Sequence, residues 1–181
     1  PYTPDATLAK EIYTQVNAAG IETIGTFDNN SFLFAVSRNE SLKQLDYFCE
    51  HLLQDFGTYQ DAMHQDETNL FHARISFSLN VKLIGPAEVI EAAIATYRKS
   101  EGSISLSQIE GFVRQILGWR EYIRGLYWKE MPAYKQKNEL NIFGKLPHCY
   151  WTGDTKMNCL KTSIKNSLDN AYAHHIQRLM I

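Results

Sequence analysis

Two histidines stand side by side late in the chain, His174-His175, with Arg178 close behind. An imidazole trades a proton near neutral pH without special tuning, so the pair is a candidate acid–base site. The residues alone favour the other reading, in which both belong to the polar face of an amphipathic helix. Adjacent helical positions point about 100° apart, which makes it hard for both rings to reach one metal ion. A zinc site from Cys149, Cys159 and a histidine is disfavoured, because that spacing fits no zinc pattern. A second candidate is Arg120, within Trp119-Arg120-Glu121 in an apolar helical stretch. An arginine there needs a partner or a phosphate, since an unpaired buried charge is costly. No stand-alone enzyme motif is present: no P-loop, no Gly-x-Gly-x-x-Gly, no Gly-x-Ser-x-Gly, no Cys-x-x-Cys and no His-Glu-x-x-His.

The elements that must position these residues read as helices. After Pro4, Asp5 can cap a helix over 5–19 carrying Leu8, Ile12 and Val16 and stopped by Gly20. Residues 21–40 are mixed; Asp28-Asn29-Asn30 signals a turn, and an ordered irregular segment is favoured over a short strand pair. A strong helix over 41–56 carries Leu42, Leu45, Phe48, Cys49, Leu52, Leu53 and Phe56 on one stripe and ends at Gly57. Cys49 lies on that stripe and reads as core. Phe71, Ile75 and Leu79 recur every fourth position, and Pro86 suits the first turn of a helix over 86–99. Ser107-x-x-Glu110 reads as a capping box opening a helix over 107–129. Residues 131–153 form a long connection with aromatics, followed by one last helix over 155–180. The fold class is all-α, with an irregular N-terminal segment.

The chain has 181 residues, which is one domain by length and buries roughly 70% of the unfolded surface. No apolar run approaches the ~18 residues of a membrane span, and three cysteines at wide spacing do not form a secreted disulfide framework. A cytoplasmic setting is the default expectation. Residues 1–107 carry 7 Lys/Arg against 14 Asp/Glu (−7), and residues 108–181 carry 11 against 6 (+5). Such segregation marks either a phosphate-facing surface or merely solvated basic helix faces. The opening Pro1-Tyr2-Thr3-Pro4 and the apolar helical close at Leu179-Met180-Ile181 suggest a piece of a longer protein.

Four stretches carry a specific resemblance. They are Phe56-Gly57-x-Tyr59-Gln60-Asp61-Ala62-Met63; Leu70-Phe71-His72-Ala73-Arg74-Ile75-Ser76-x-x-Leu79-Asn80; Arg114-Gln115-Ile116-Leu117-Gly118-Trp119-Arg120-Glu121-Tyr122-Ile123-Arg124-Gly125-x-Tyr127-Trp128; and Tyr150-Trp151-Thr152-Gly153-Asp154-Thr155-x-Met157-Asn158-Cys159-Leu160, continuing to Tyr172-Ala173-His174-His175-Ile176-Gln177-Arg178-Leu179-Met180. In this order they resemble the photolyase-related branch of the photolyase/cryptochrome family, the iron–sulfur bacterial cryptochromes and (6-4) photolyases. The resemblance implies an all-helical FAD-binding domain, truncated here, over 41–181, preceded by an N-terminal helix and linker over 1–40. It places Tyr59, His72, Arg74, Ile75, Ser76 and Leu79 along the FAD phosphates and ribityl chain; backbone N–H groups and a hydroxyl at a helix start suit a diphosphate. The family usually has Ser where this chain has Ala73, so one expected hydroxyl is missing. It also places Gln115, Trp119, Arg120 and Arg178 at the flavin, with Arg124 and Tyr127 as further ligands or ordinary surface and core. Trp151 matches an aromatic in the chain passing electrons to the flavin, and Cys159 the first ligand of a four-iron cluster whose other ligands lie beyond Ile181. The resemblance puts His174 and His175 beside the lesion pocket as catalytic residues.

The function implied is light-driven, FAD-dependent repair of ultraviolet-induced pyrimidine dimers in DNA, foremost (6-4) photoproducts, by a carbon–carbon lyase. The alternatives are a cryptochrome-type blue-light receptor or, in truncated form, a non-catalytic helical module. The whole protein is expected to carry FAD, a 4Fe-4S cluster and an antenna chromophore on a domain outside this sequence, and to bind damaged DNA and no membrane. The truncated chain is expected to be inactive, to hold no cluster and on balance no FAD, and to cover its exposed pocket surface with a second copy.

Overall fold

A computed structural model describes residues 2–28, 32–64 and 66–181. The chain is all-α, with no strand among the described residues. Its helices are α1 (Thr7–Ala18), α2 (Arg38–His51), α3 (Leu53–Tyr59), α4 (Ser76–Asn80), α5 (Pro86–Lys99), α6 (Leu106–Glu130), α7 (Cys149–Thr152), α8 (Asn158–Asn170) and α9 (His175–Met180). Residues 21–28 and 32–36 have no regular structure, as expected of the irregular segment. The turn signal at Asp28-Asn29-Asn30 runs into positions outside the described residues.

One core holds α2, α3, α4, α5 and the first half of α6 together. Leu45 and Phe48 of α2, Leu53 and Phe56 of α3, Val89 and Ala93 of α5, and Ile109, Phe112 and Ile116 of α6 are buried in it. Phe48, Phe56 and Phe112 meet at ring separations of 4.8 to 5.8 Å. Burying each such ring removes roughly 150–250 Å² of apolar surface from water, the main drive for this packing. Cys49 is buried there as expected, and its thiol is pushed up to about 11, chiefly by that burial. In contrast α1 buries none of its residues, although its apolar stripe is present.

Several boundaries differ from the sequence reading. Ser37, not Ser41, caps α2, its hydroxyl accepting from the Glu40 N–H; Ser41 is buried and donates to Ser78 at 3.0 Å. The helix expected to run to Gly57 breaks at Leu52, where φ is −121°, and resumes as α3 through Gly57. The capping box of α6 is Ser105 with Gln108, two residues before the expected pair. The same Gln108 side chain donates to the Gln54 carbonyl at 2.7 Å, locking the start of α6 onto α3.

That contact explains Gly57. A Cβ at Gly57 would lie 2.5 Å from Cα of Gln108, closer than backbone atoms tolerate. Gly57→Ala should therefore force α3 and α6 apart and cost about 1–3 kcal/mol of stability. Thermal denaturation of the parent and variant checks this; an unchanged midpoint would mean the two helices can separate freely.

The largest departure lies at the C-terminal end. The single helix expected over 155–180 is two, α8 and α9, separated by Ala171 at φ 48° and Tyr172-Ala173. Asn166 of α8 holds the corner, its amide donating to the Tyr172 carbonyl at 3.0 Å and to Oε1 of Gln177 at 2.9 Å. The irregular segment crosses α8 as well: the Thr26 N–H donates to the Leu168 carbonyl at 2.9 Å. A Cβ at Gly25, where φ is +81°, would fall 2.3 Å from that same oxygen.

Candidate functional site

The break in the last helix moves the histidine pair. His174 stands at the N-cap of α9, where Nδ1 accepts the Ile176 N–H at 3.2 Å while its own N–H donates to Oε1 of Gln177 at 3.0 Å. It is buried, with 4% of its surface exposed, and its Nε2 faces the Gln60 carbonyl at 3.0 Å. Because Nδ1 accepts, Nε2 carries the proton and donates to Gln60. His175 opens α9, is 47% exposed at its side chain, and its Nε2 donates to Oδ1 of Asp61 at 2.7 Å.

A third imidazole joins them. His72 packs edge-on against His174 with ring centroids 4.6 Å apart, and the His174 and His175 rings lie 4.2 Å apart. His72 has Nδ1 at 3.1 Å from the Asn69 carbonyl and Nε2 at 3.1 Å from the Gln60 carbonyl. Burial holds both His72 and His174 below the ordinary histidine range, opposed in part by those carbonyl contacts. Beside them is a small cavity of about 50 Å³ lined by Met63, His72, Asn166, His174 and Gln177 among others. The expectation that adjacent histidines point apart is corrected here: His174 is a cap and not a helical residue, so both rings converge on Asp61 and Gln60.

A second feature lies along α6. Beyond Ile116 no residue of α6 is buried, and Trp119, Tyr122 and Trp128 are 60%, 62% and 76% exposed. With Leu79 and Asn80 of α4 and Lys82 just beyond it, this half-helix walls an open groove of about 510 Å³ through Trp119, Arg120, Ile123, Arg124, Tyr127 and Trp128. Three cations and three aromatic rings in one groove form a site for a flat, anionic ligand. Arg120 is half-buried, and its guanidinium donates to the Ile116 carbonyl at 3.2 Å.

The residues singled out from sequence therefore fall in several places. Leu79, Trp119 and Arg120 share the groove. His72 joins the imidazole cluster, and Gln115 reaches Oε1 of Gln60 at 3.5 Å. Tyr59 stacks on Phe71 at 5.2 Å. Arg74, in the left-handed region at φ 54°, turns inward; its guanidinium donates to the Tyr2 carbonyl at 2.7 Å, and burial lowers its pKa. Ile75 is core, and Ser76 begins the five-residue α4. Arg178 donates to the Ala173 carbonyl at 3.0 Å; Trp151 and Cys159 are exposed on α7 and α8. Asp61, Gln60 and Lys82 were not picked out as site residues. Asp61 and Gln60 sit directly after Tyr59 in a quoted motif, whereas nothing local marks Lys82.

Comparison with known proteins decides the family. The chain is 43% identical over 180 residues to a (6-4) photolyase of Agrobacterium fabrum, matching 99% of this chain. The chain belongs to the photolyase family. It spans 34% of the length of that photolyase. It is also 35% identical over 113 residues to an uncharacterized protein of Acanthamoeba polyphaga mimivirus, matching 60% of this chain and 82% of that protein. A scan against protein-family models finds no match. Among the described residues of this photolyase-family chain, no helix is long and apolar enough to cross a membrane.

Proposed function

We propose that the chain is part of a light-driven, FAD-dependent DNA photolyase that repairs (6-4) photoproducts. The observation that carries this reading is the 43% identity, sustained over 180 residues, to a (6-4) photolyase. The groove on α6 fits the cofactor: Lys82, Arg120 and Arg124 are suited to the diphosphate, and Trp119, Tyr127 and Trp128 to flat rings. Bound there, FAD would supply light absorption and one-electron chemistry.

The protein's own part is binding, orientation and proton delivery. His175 is half-exposed and tethered through Nε2 to Asp61, which leaves Nδ1 as the nitrogen that exchanges a proton with a damaged base. His174 is buried and fixed by Ile176 and Gln60, so it serves as the wall against which His175 is held. The net +5 of residues 108–181 supplies cations for DNA phosphates, and the lesion is flipped out of the duplex to reach the imidazole. For the whole protein we propose a 4Fe-4S cluster with Cys159 as one ligand. The chain's three cysteines cannot complete such a cluster, and Cys49 is sealed in the core.

The absorption spectrum of the full-length protein tests the cofactor assignment. Flavin bands in the near-ultraviolet and blue, bleached by blue light in the presence of a reductant, are expected. A colourless, correctly folded protein would overturn it.

A further inference from the structure

We infer that His72, His174 and His175 form a binding site for a borderline first-row divalent cation of the zinc class. One ring nitrogen from each lies within 4.8 Å of the other two. Nitrogens bound at about 2.0–2.1 Å around a tetrahedral ion are roughly 3.4 Å apart, so the rings need to close by about an ångström. His175 is half-exposed and can swing that far; His72 and His174 supply the fixed wall.

What distinguishes this cluster from a chance meeting of rings is the set of acceptors behind it. Metal-bound histidines almost always donate their other ring N–H to a carboxylate or a backbone carbonyl. Each of the three has such an acceptor in place. Oδ1 of Asp61 lies 2.7 Å from Nε2 of His175, the Asn69 carbonyl 3.1 Å from Nδ1 of His72, and the Gln60 carbonyl 3.0 Å from Nε2 of His174.

His72 adds a second pointer. Both of its nitrogens face backbone carbonyls, Asn69 and Gln60, each at 3.1 Å. A neutral imidazole has one N–H for these two acceptors, so one lone pair is aimed at a carbonyl oxygen. A cation bound at Nε2 of His72 takes up that lone pair and relieves the repulsion, while the Gln60 oxygen stays the acceptor of the His174 N–H. At His174 the ion displaces the long cap bond to Ile176. Imidazole nitrogens select zinc, cobalt, nickel or copper over magnesium and calcium, which prefer all-oxygen shells. The exposed side at His175 leaves one coordination position open to solvent.

An ion here would occupy the same Nδ1 of His175 that exchanges the proton on the proposed reading, so metal binding and repair compete; binding itself is tested in the dark. Isothermal calorimetry with Zn²⁺, and separately with Mg²⁺, is performed on the full-length protein and on His72→Ala, His175→Ala and Asp61→Ala. One saturable Zn²⁺ per chain is expected, with no comparable Mg²⁺ binding. Affinity should fall more than tenfold in each histidine variant and about tenfold in Asp61→Ala, which removes only an outer-sphere acceptor. His175→Ala and Asp61→Ala alter exposed side chains, so the test stands even if His72→Ala fails to fold. Absence of saturable Zn²⁺ binding overturns the inference, as does Zn²⁺ binding unchanged in His175→Ala, or Mg²⁺ binding of equal strength.

Discussion

Replacing His175 by Ala in the full-length protein should lower light-driven repair by about a hundredfold or more while leaving bound FAD near the parent level. General acid–base groups contribute about 10²–10⁴ in rate, and on the proposed reading His175 is the group that exchanges the proton. The side chain is half-exposed, tethered through Asp61 and set against the His174 ring, so its removal opens no core cavity. The neighbouring change behaves differently. His174 is buried and caps α9, so His174→Ala loses the bond from Ile176 and the bond to Gln60, and should cost about 1–2 kcal/mol of stability besides activity. Measuring bound FAD, thermal midpoint and repair rate for both variants separates the two roles. If both variants repair at the parent rate with flavin bound, the imidazoles are structural and proton delivery falls to another group.

Arg120→Ala should give the reverse order of loss, with cofactor first and activity following. Arg120 lies in the α6 groove with Arg124 and Lys82, half-buried beside Trp119. A hydrogen bond to a charged group is worth about 1.5–3 kcal/mol, so FAD should bind about 10- to 100-fold more weakly. Saturating the variant with added FAD should restore most of its repair. A variant that retains full flavin yet fails to repair would move Arg120 from cofactor binding to catalysis.

The helical fold was legible where local chemistry and tertiary packing agree. Pro86 marks the first turn of α5, and the stripe from Leu45 to Phe56 meets the Phe112 stripe in the core. It was not legible at the end of α8. Leu160, Ile164 and Leu168 continue in helical spacing into Tyr172, Ile176 and Leu179, and neither Gly nor Pro marks a stop. Ala171 nevertheless sits at φ 48°, a conformation costing an L-residue roughly 1–2 kcal/mol. Asn166 offsets that cost by bonding both Tyr172 and Gln177 across the corner. Such a compensation is made of contacts six and eleven residues apart, which periodicity does not register.

The same holds for the site. The His174-His175 pair and the Trp119-Arg120 element stood out by type and by family resemblance. Their surroundings did not. His72 looked like part of a phosphate-binding helix start, but its two ring nitrogens face the Asn69 and Gln60 carbonyls. Its meeting with His174 depends on the corner at Ala171, and so was invisible until that corner was. The tether from Asp61 to His175 spans 114 residues and rests on the same corner.

The most direct test is repair itself. The full-length protein is incubated with an oligonucleotide bearing a single (6-4) photoproduct, in blue light and in the dark, and the product is resolved by chromatography. The account predicts that intact pyrimidines are restored in light, none in the dark, and little with His175→Ala. A protein that binds FAD, is photoreduced and leaves the lesion untouched at saturating DNA would contradict it.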